Sequence, residues 1–168
     1  GQIVVVGGVR RSAMISLSNL SDDRMRHAKS GQWWETAAHR ALANNSVSYT
    51  ERPDIETFMR EWTALVESKS GERGIFNREA SKKQAEKYGR RDPNYEFGTN
   101  PCSEIILRPY QFCNLTEVVV RATDTVDDLE RKVKLATILG TIQSSFTKFP
   151  YLRKVWQRNT EEERLLGV

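Results

Sequence analysis

The chain has 168 residues, 38% hydrophobic and 29% charged, the balance of a soluble protein with one packed core. No membrane segment is visible, because the apolar runs are only a few residues long, and the N-terminal run lacks the basic region and length of a signal peptide. Two cysteines make no disulfide scaffold and favour a reducing cytoplasm. The net charge of +4 does not mark a nucleic-acid binder, because Lys82-Lys83, Arg90-Arg91 and Arg153-Lys154 are interspersed with Glu79, Glu86, Asp92 and Glu96.

In chain order, Val4-Val5-Val6 runs into Gly7-Gly8-Val9-Arg10-Arg11-Ser12, a strand breaking into a flexible cationic loop. Arginine offers a planar fork of donors, so this loop suits a phosphate or a base edge. Arg10 is the favoured contact, with Arg11 an alternative and plain solvation the bland reading of both. Residues 12–17 read as extended. Ser21 is expected to cap a short helix that Gly31 closes, with Asp22 and Asp23 in its first turn. Trp33 and Trp34 read as packing residues rather than as a stacking platform.

Residues 46–49 read as a strand. Pro53 then opens a helix whose apolar residues Ile55, Phe58, Met59, Trp62, Leu65 and Val66 recur at helical spacing and are expected to cover a sheet. After a turn at 71–74, Asn77 starts a polar helix ending near Gly89. Residues 90–98 form a loop with Asp92-Pro93-Asn94 as turn chemistry, and 105–107 and 115–120 read as extended. Thr125 and Asp128 start the longest helix, with Val126, Leu129, Val133 and Ala136 on one face and Pro150 at its end. This alternation of strand and helix predicts an α/β fold. His27 and His39 lack partners at zinc spacing, so no metal site is predicted.

The chemistry concentrates in Asn100-Pro101-Cys102-Ser103-Glu104 and in Gln111-Phe112-Cys113-Asn114-Leu115-Thr116, whose cysteines are eleven residues apart. In an extended segment, side chains at alternate positions share a face. Cys102 and Glu104, with Asn100, would then put a thiol, a carboxylate and an amide in one pocket. Taken alone, Cys-x-Glu is a weak signal, since buried cysteines usually act as small hydrophobes. A free-standing thiol oxidoreductase is disfavoured by the lack of Cys-x-x-Cys spacing.

Taken together, these strings resemble the catalytic core of ribonucleotide reductases. The cysteine interval and the block Cys-Asn-Leu-Thr-Glu-Val-Val-Val-Arg are most similar to the class II, adenosylcobalamin-dependent, monomeric ribonucleoside-triphosphate reductases. Two shorter strings, Ala43-Asn44-Asn45-Ser46-Val47 and Arg164-Leu165-Leu166-Gly167-Val168, fall in the order of that family. The resemblance implies a partial ten-stranded α/β barrel whose central finger loop, within 98–120, carries Cys102. It also implies roles: Cys102 as transient thiyl radical, Glu104 as general base, Asn100 as substrate-hydroxyl ligand, and Cys113 as one of two cysteines oxidised during turnover. Gly7, Gly8, Val9, Arg10, Arg11 and Ser12 resemble the loop that links a deoxynucleoside triphosphate effector to the substrate base.

The implied cofactor is adenosylcobalamin, bound mainly outside this chain. The implied partners are a ribonucleoside triphosphate, an external dithiol such as thioredoxin, and the remaining segments of the reductase. A positive excess suits nucleoside triphosphate ligands. The resemblance also places the redox partner of Cys113 on an earlier barrel strand, before Gly1, and no cysteine besides Cys102 and Cys113 exists here to replace it, so the chain is expected to be an internal barrel segment, inactive alone. The alternative is a noncatalytic assembly piece of a split reductase.

Overall fold

The structure, a computed structural model, describes residues 14–168; the expected strand and cationic loop at 1–13, with Gly7, Gly8, Val9, Arg10, Arg11 and Ser12, lie outside the described residues. The chain divides into two units, one ending at Ser103 and the other running Glu104–Val168.

In the first unit, β1 (Met14–Ser18), β2 (Ala43–Tyr49) and β3 (Gly74–Asn77) form a parallel sheet in that order. Register pairs Met14 with Ala43, Ile15 with Asn44, Ser46 with Gly74 and Tyr49 with Asn77. Parallel neighbours require crossovers. The first is built from α1 (Asp23–Arg26), α2 (Trp33–Thr36) and a 3-10 turn (Ala38–Leu42), the second from α3 (Ile55–Ser68). β2, the middle strand, holds the core with Val47 and Tyr49. It begins three residues before the predicted strand because its polar residues are paired. The Asn45 amide donates to Met25 O at 2.5 Å, and the Asn45 N–H to Glu72 Oε2 at 2.8 Å. Space is equally tight at Gly74, where a Cβ would lie 2.8 Å from Ser46 Oγ.

Helix starts follow local capping chemistry. Asp22, not Ser21, caps α1, its Oδ1 accepting from Met25 N at 3.0 Å. Asp54 caps α3 through Thr57 N at 2.8 Å, and α3 ends at Lys69 with φ +51°. Asn77 caps α4 (Arg78–Lys87) through Ala80 N at 2.8 Å, and β4 (Gly98–Thr99) closes the unit.

The expectation for α3 is overturned: Ile55, Met59, Trp62 and Val66 are exposed, and its buried residue is Glu61. Glu61 faces inward because Arg26 and Arg73 are buried there and need an anion. Arg26 Nε donates to Glu61 Oε1 at 2.6 Å and Arg73 Nε to Oε2 at 2.8 Å. Trp33 and Trp34 pack edge to face with centroids 6.2 Å apart.

In the second unit, β5 (Ile106–Leu107) precedes β6 (Cys113–Leu115), which pairs in parallel with β7 (Leu165–Gly167). The crossover between β6 and β7 contains α5 (Val126–Ser144) and α6 (Lys154–Glu162). The Thr125 and Asp128 capping box forms as expected, but α5 ends at Ser144, six residues before Pro150. Its buried face is Ala136, Gly140 and Ser144, whereas Val126 and Val133 are exposed. Small residues win the buried face because the backbone comes close to β7. A Cβ on Gly140 would lie 2.1 Å from Leu166 Cδ1. The expected strand at 115–120 stops at Leu115.

The α/β class therefore holds, each unit containing a parallel βαβ arrangement. No closed ten-stranded barrel is formed among the described residues. Closure requires every edge strand to find a neighbour, and within their own sheet β1 and β3 each have β2 alone.

Candidate functional site

The segment carrying Cys102 is anchored before it turns. Phe97 is fully buried, its carbonyl accepting from Arg78 Nε at 2.7 Å, and the Arg91 guanidinium lies 5.0 Å from its ring centre. After β4, Asn100 is buried and the chain makes a tight turn closed by Ser103 N donating to Asn100 O at 2.9 Å. Ser103 has φ +67°, in the left-handed region. The extended geometry expected from Cys102 to Glu104 is thus replaced by a turn, because proline at 101 favours the second position of one. Cys102 is exposed on that turn. Asn44, the second residue of β2, donates its side-chain amide to Pro101 O at 2.6 Å.

Glu104 and Cys113 belong to the second unit. Glu104 is exposed, with its stem against β7: a Cβ on Gly167 would meet Glu104 Cγ at 3.0 Å and Ile105 Cγ1 at 2.9 Å. Gly167 pairs with Leu115, two residues beyond Cys113 at the start of β6. The approach to Cys113 is held by α6. Arg108 is buried, bonding Asn159 Oδ1 at 3.1 Å and the Glu162 carboxylate. Gln111 accepts from Arg108 N at 3.0 Å and donates to Glu163. Asn159 also donates to the carbonyls of Pro109 and Tyr110, at 2.9 and 3.0 Å. Cys113 is half-buried in a cleft with Phe112, Phe146, Phe149 and Tyr151, and neither cysteine is in a disulfide.

Comparison with known proteins finds reductases among the similar chains. The chain is 39% identical over 126 residues to the adenosylcobalamin-dependent ribonucleoside-triphosphate reductase of Lacticaseibacillus paracasei, an alignment covering 70% of this chain and 16% of that protein. It is 31% identical over 180 residues to the reductase of that name from Lactobacillus delbrueckii subsp. bulgaricus, across 100% of this chain and 22% of the relative. A Levilactobacillus brevis reductase is 32% identical over 123 residues. The chain belongs to the adenosylcobalamin-dependent ribonucleotide reductase family. No family model matches it, and no solved structure matches it. The chain spans about a fifth of the length of these relatives, 16% of one and 22% of another.

Within this reductase sequence, the two shorter family-like strings gain structural content that composition could not supply. Ala43–Val47 contains Asn44, bonded to the Cys102 turn, and Arg164–Val168 contains Gly167, over which Glu104 lies. Among the described residues, no group of three or more His, Cys, Asp or Glu is placed to hold a metal ion. No described helix is long and apolar enough to cross a membrane.

Proposed function

We propose that this chain is a catalytic segment of an adenosylcobalamin-dependent reductase that converts ribonucleoside triphosphates to 2'-deoxyribonucleotides, supplying precursors for DNA synthesis. The observation that carries the proposal is the exposed Cys102 thiol on a tethered turn, inside a family sequence. When bound, adenosylcobalamin supplies the unpaired electron. Exposure of Cys102 fits a thiol that receives it from outside the segment, and grip on the corrin is assigned to other parts of the enzyme.

As a thiyl radical, Cys102 takes the 3' hydrogen atom of the ribose. Glu104 takes the 3' hydroxyl proton, and Asn100 holds a substrate hydroxyl. The 2' hydroxyl leaves as water with the proton of one thiol, the 2' carbon takes the hydrogen of the other, Cys113 and a second cysteine thereby become a disulfide, and Glu104 returns its proton to the 3' oxygen. Cys102 then returns the hydrogen atom to the 3' carbon. An external dithiol such as thioredoxin reduces the disulfide, and a reducing cytoplasm suits this cycle. Gly7, Gly8, Val9, Arg10, Arg11 and Ser12 are assigned to contact between effector and substrate base, with triphosphate recognition completed by other segments.

A second reading, a noncatalytic piece that docks into the rest of a reductase, is favoured by the exposed apolar residues of α3. One experiment separates the two. The chain is mixed with polypeptides carrying the flanking segments, and reduction is assayed with adenosylcobalamin and a dithiol. Activity that requires mixing and disappears with Cys102→Ala supports the catalytic reading. Activity that survives Cys102→Ala supports docking alone, and turnover by the unmixed chain would overturn the segment assignment.

A further inference from the structure

We infer that Asn44 is a positioning residue for Cys102, holding the thiol-bearing turn through the carbonyl of Pro101. Its effect on turnover rests on the reductase reading; its effect on the turn does not. Asn44 Nδ2 donates to Pro101 O at 2.6 Å across 57 residues of sequence. The donor stands on rigid ground. It lies on the middle strand, where its Cα pairs with Ile15. Both chain neighbours are pinned: Ala43 O accepts from buried Lys29 Nζ, and Asn45 N donates to Glu72 Oε2 at 2.8 Å. Lys29 and Glu72 are themselves paired at 2.9 Å.

The acceptor is the one backbone group of Pro101 able to hydrogen-bond, since proline has no N–H. That carbonyl lies in the planar peptide unit that also contains the Cys102 nitrogen. Fixing its direction fixes the plane from which the Cys102 side chain departs. The remaining corners are set separately: the Pro101 ring restricts φ, and Ser103 N closes on Asn100 O at 2.9 Å. A radical-bearing sulfur needs such control, because a misplacement of about 1 Å can cost a reaction on the order of a hundredfold.

The test uses the 168-residue chain with Cys113→Ser, so that Cys102 is the single thiol. Asn44→Asp keeps the shape and removes the N–H donor, whereas Asn44→Gln keeps the donor on a longer arm. Two properties are read: the hydrogen-exchange rate of the Ser103 amide and the alkylation rate of Cys102 with iodoacetamide. In Asn44→Asp, Ser103 exchange is expected to rise about five- to tenfold, the loss of one hydrogen bond, with a changed alkylation rate. Asn44→Gln is expected to restore both toward wild type. Asn44→Ser, too short to reach, carries the same expectation as Asp and serves if the Asp variant does not fold.

In the complete enzyme, Asn44→Asp is expected to lower kcat about tenfold to a hundredfold while KM stays constant. Wild-type exchange and alkylation in both Asp and Ser variants would overturn the inference. A loosened turn with unchanged kcat would uphold the tether and remove Cys102 from the radical step.

Discussion

Arg73 grips Glu61 through two hydrogen bonds, Nε to Oε2 and Nη2 to Oε1, each 2.8 Å long, with side chains 2% and 3% exposed. Arg26 adds a third at 2.6 Å, so one carboxylate serves two buried guanidinium groups beneath α3. Other donors of the two arginines reach Leu20 O, Asn19 O and Ser18 Oγ, tying α3 to the end of β1, and Arg26 Nη1 also donates to Asp23 Oδ1 at 2.7 Å. Removing the Glu61 carboxylate would strand Arg73 and leave Arg26 with Asp23 as its remaining anion, at 2.7 Å. Glu61→Ala is expected to cost about 3–5 kcal/mol in urea unfolding. A loss under about 1 kcal/mol would mean that water reaches the cluster.

The same carboxylate sets a pH dependence. Burial alone would raise the Glu61 pKa, but hydrogen bonds from Arg73 and Arg26 outweigh it and hold the group below its ordinary 4.5. A folded-state value below the unfolded one stabilises the fold fully above about pH 4.5 and loses that contribution as pH falls through the folded value. Urea midpoints measured from neutral pH downward should therefore fall below that point. Glu61→Gln should flatten the slope, leaving the part due to Asp54, Asp124 and Asp128, which are also held low. An identical slope in the variant would remove Glu61 from the acid response.

Gly140 lies where α5 and Leu166 of β7 touch, with 2.1 Å between a would-be Cβ and Leu166 Cδ1. Gly140→Ala gains about 1 kcal/mol of helix propensity, but overpacking at such a distance costs about 1–3 kcal/mol. The net expectation is destabilisation, relieved when Leu166→Ala is added. A double-mutant cycle on unfolding midpoints measures the coupling, and simple additivity would show that the contact relaxes freely.

Gly167 bears on function more directly, because a side chain there displaces Glu104 and Ile105. Gly167→Ala in the complete enzyme should lower kcat about tenfold or more, the size of effect expected when a general base is displaced. Unchanged kcat would argue against Glu104 as the base.

The apolar stripe of α3 makes the opposite expectation. Met59 is 47% exposed and Val66 58%, so Met59→Gln and Val66→Gln should each alter the stability of this chain by less than about 0.5 kcal/mol. A loss above about 1 kcal/mol would place the stripe in a packed interface.

Sequence alone determined what is encoded within a few residues: the Asn100–Glu104 and Cys113 strings and the family they signal, the Asn77 cap, and the Thr125 and Asp128 box. Each cap is a hydrogen bond spanning three residues, so spacing reveals it. Tertiary structure alone decided which faces are inside. The periodicity of α3 names an apolar stripe, but buried Arg26 and Arg73 draw Glu61 inward instead, and on α5 the closeness of Leu166 selects Gly140 over Val133. It likewise replaced an extended Cys102 segment with a turn. The tether holding that turn comes from a residue 57 positions away, and no local pattern encodes such a partner.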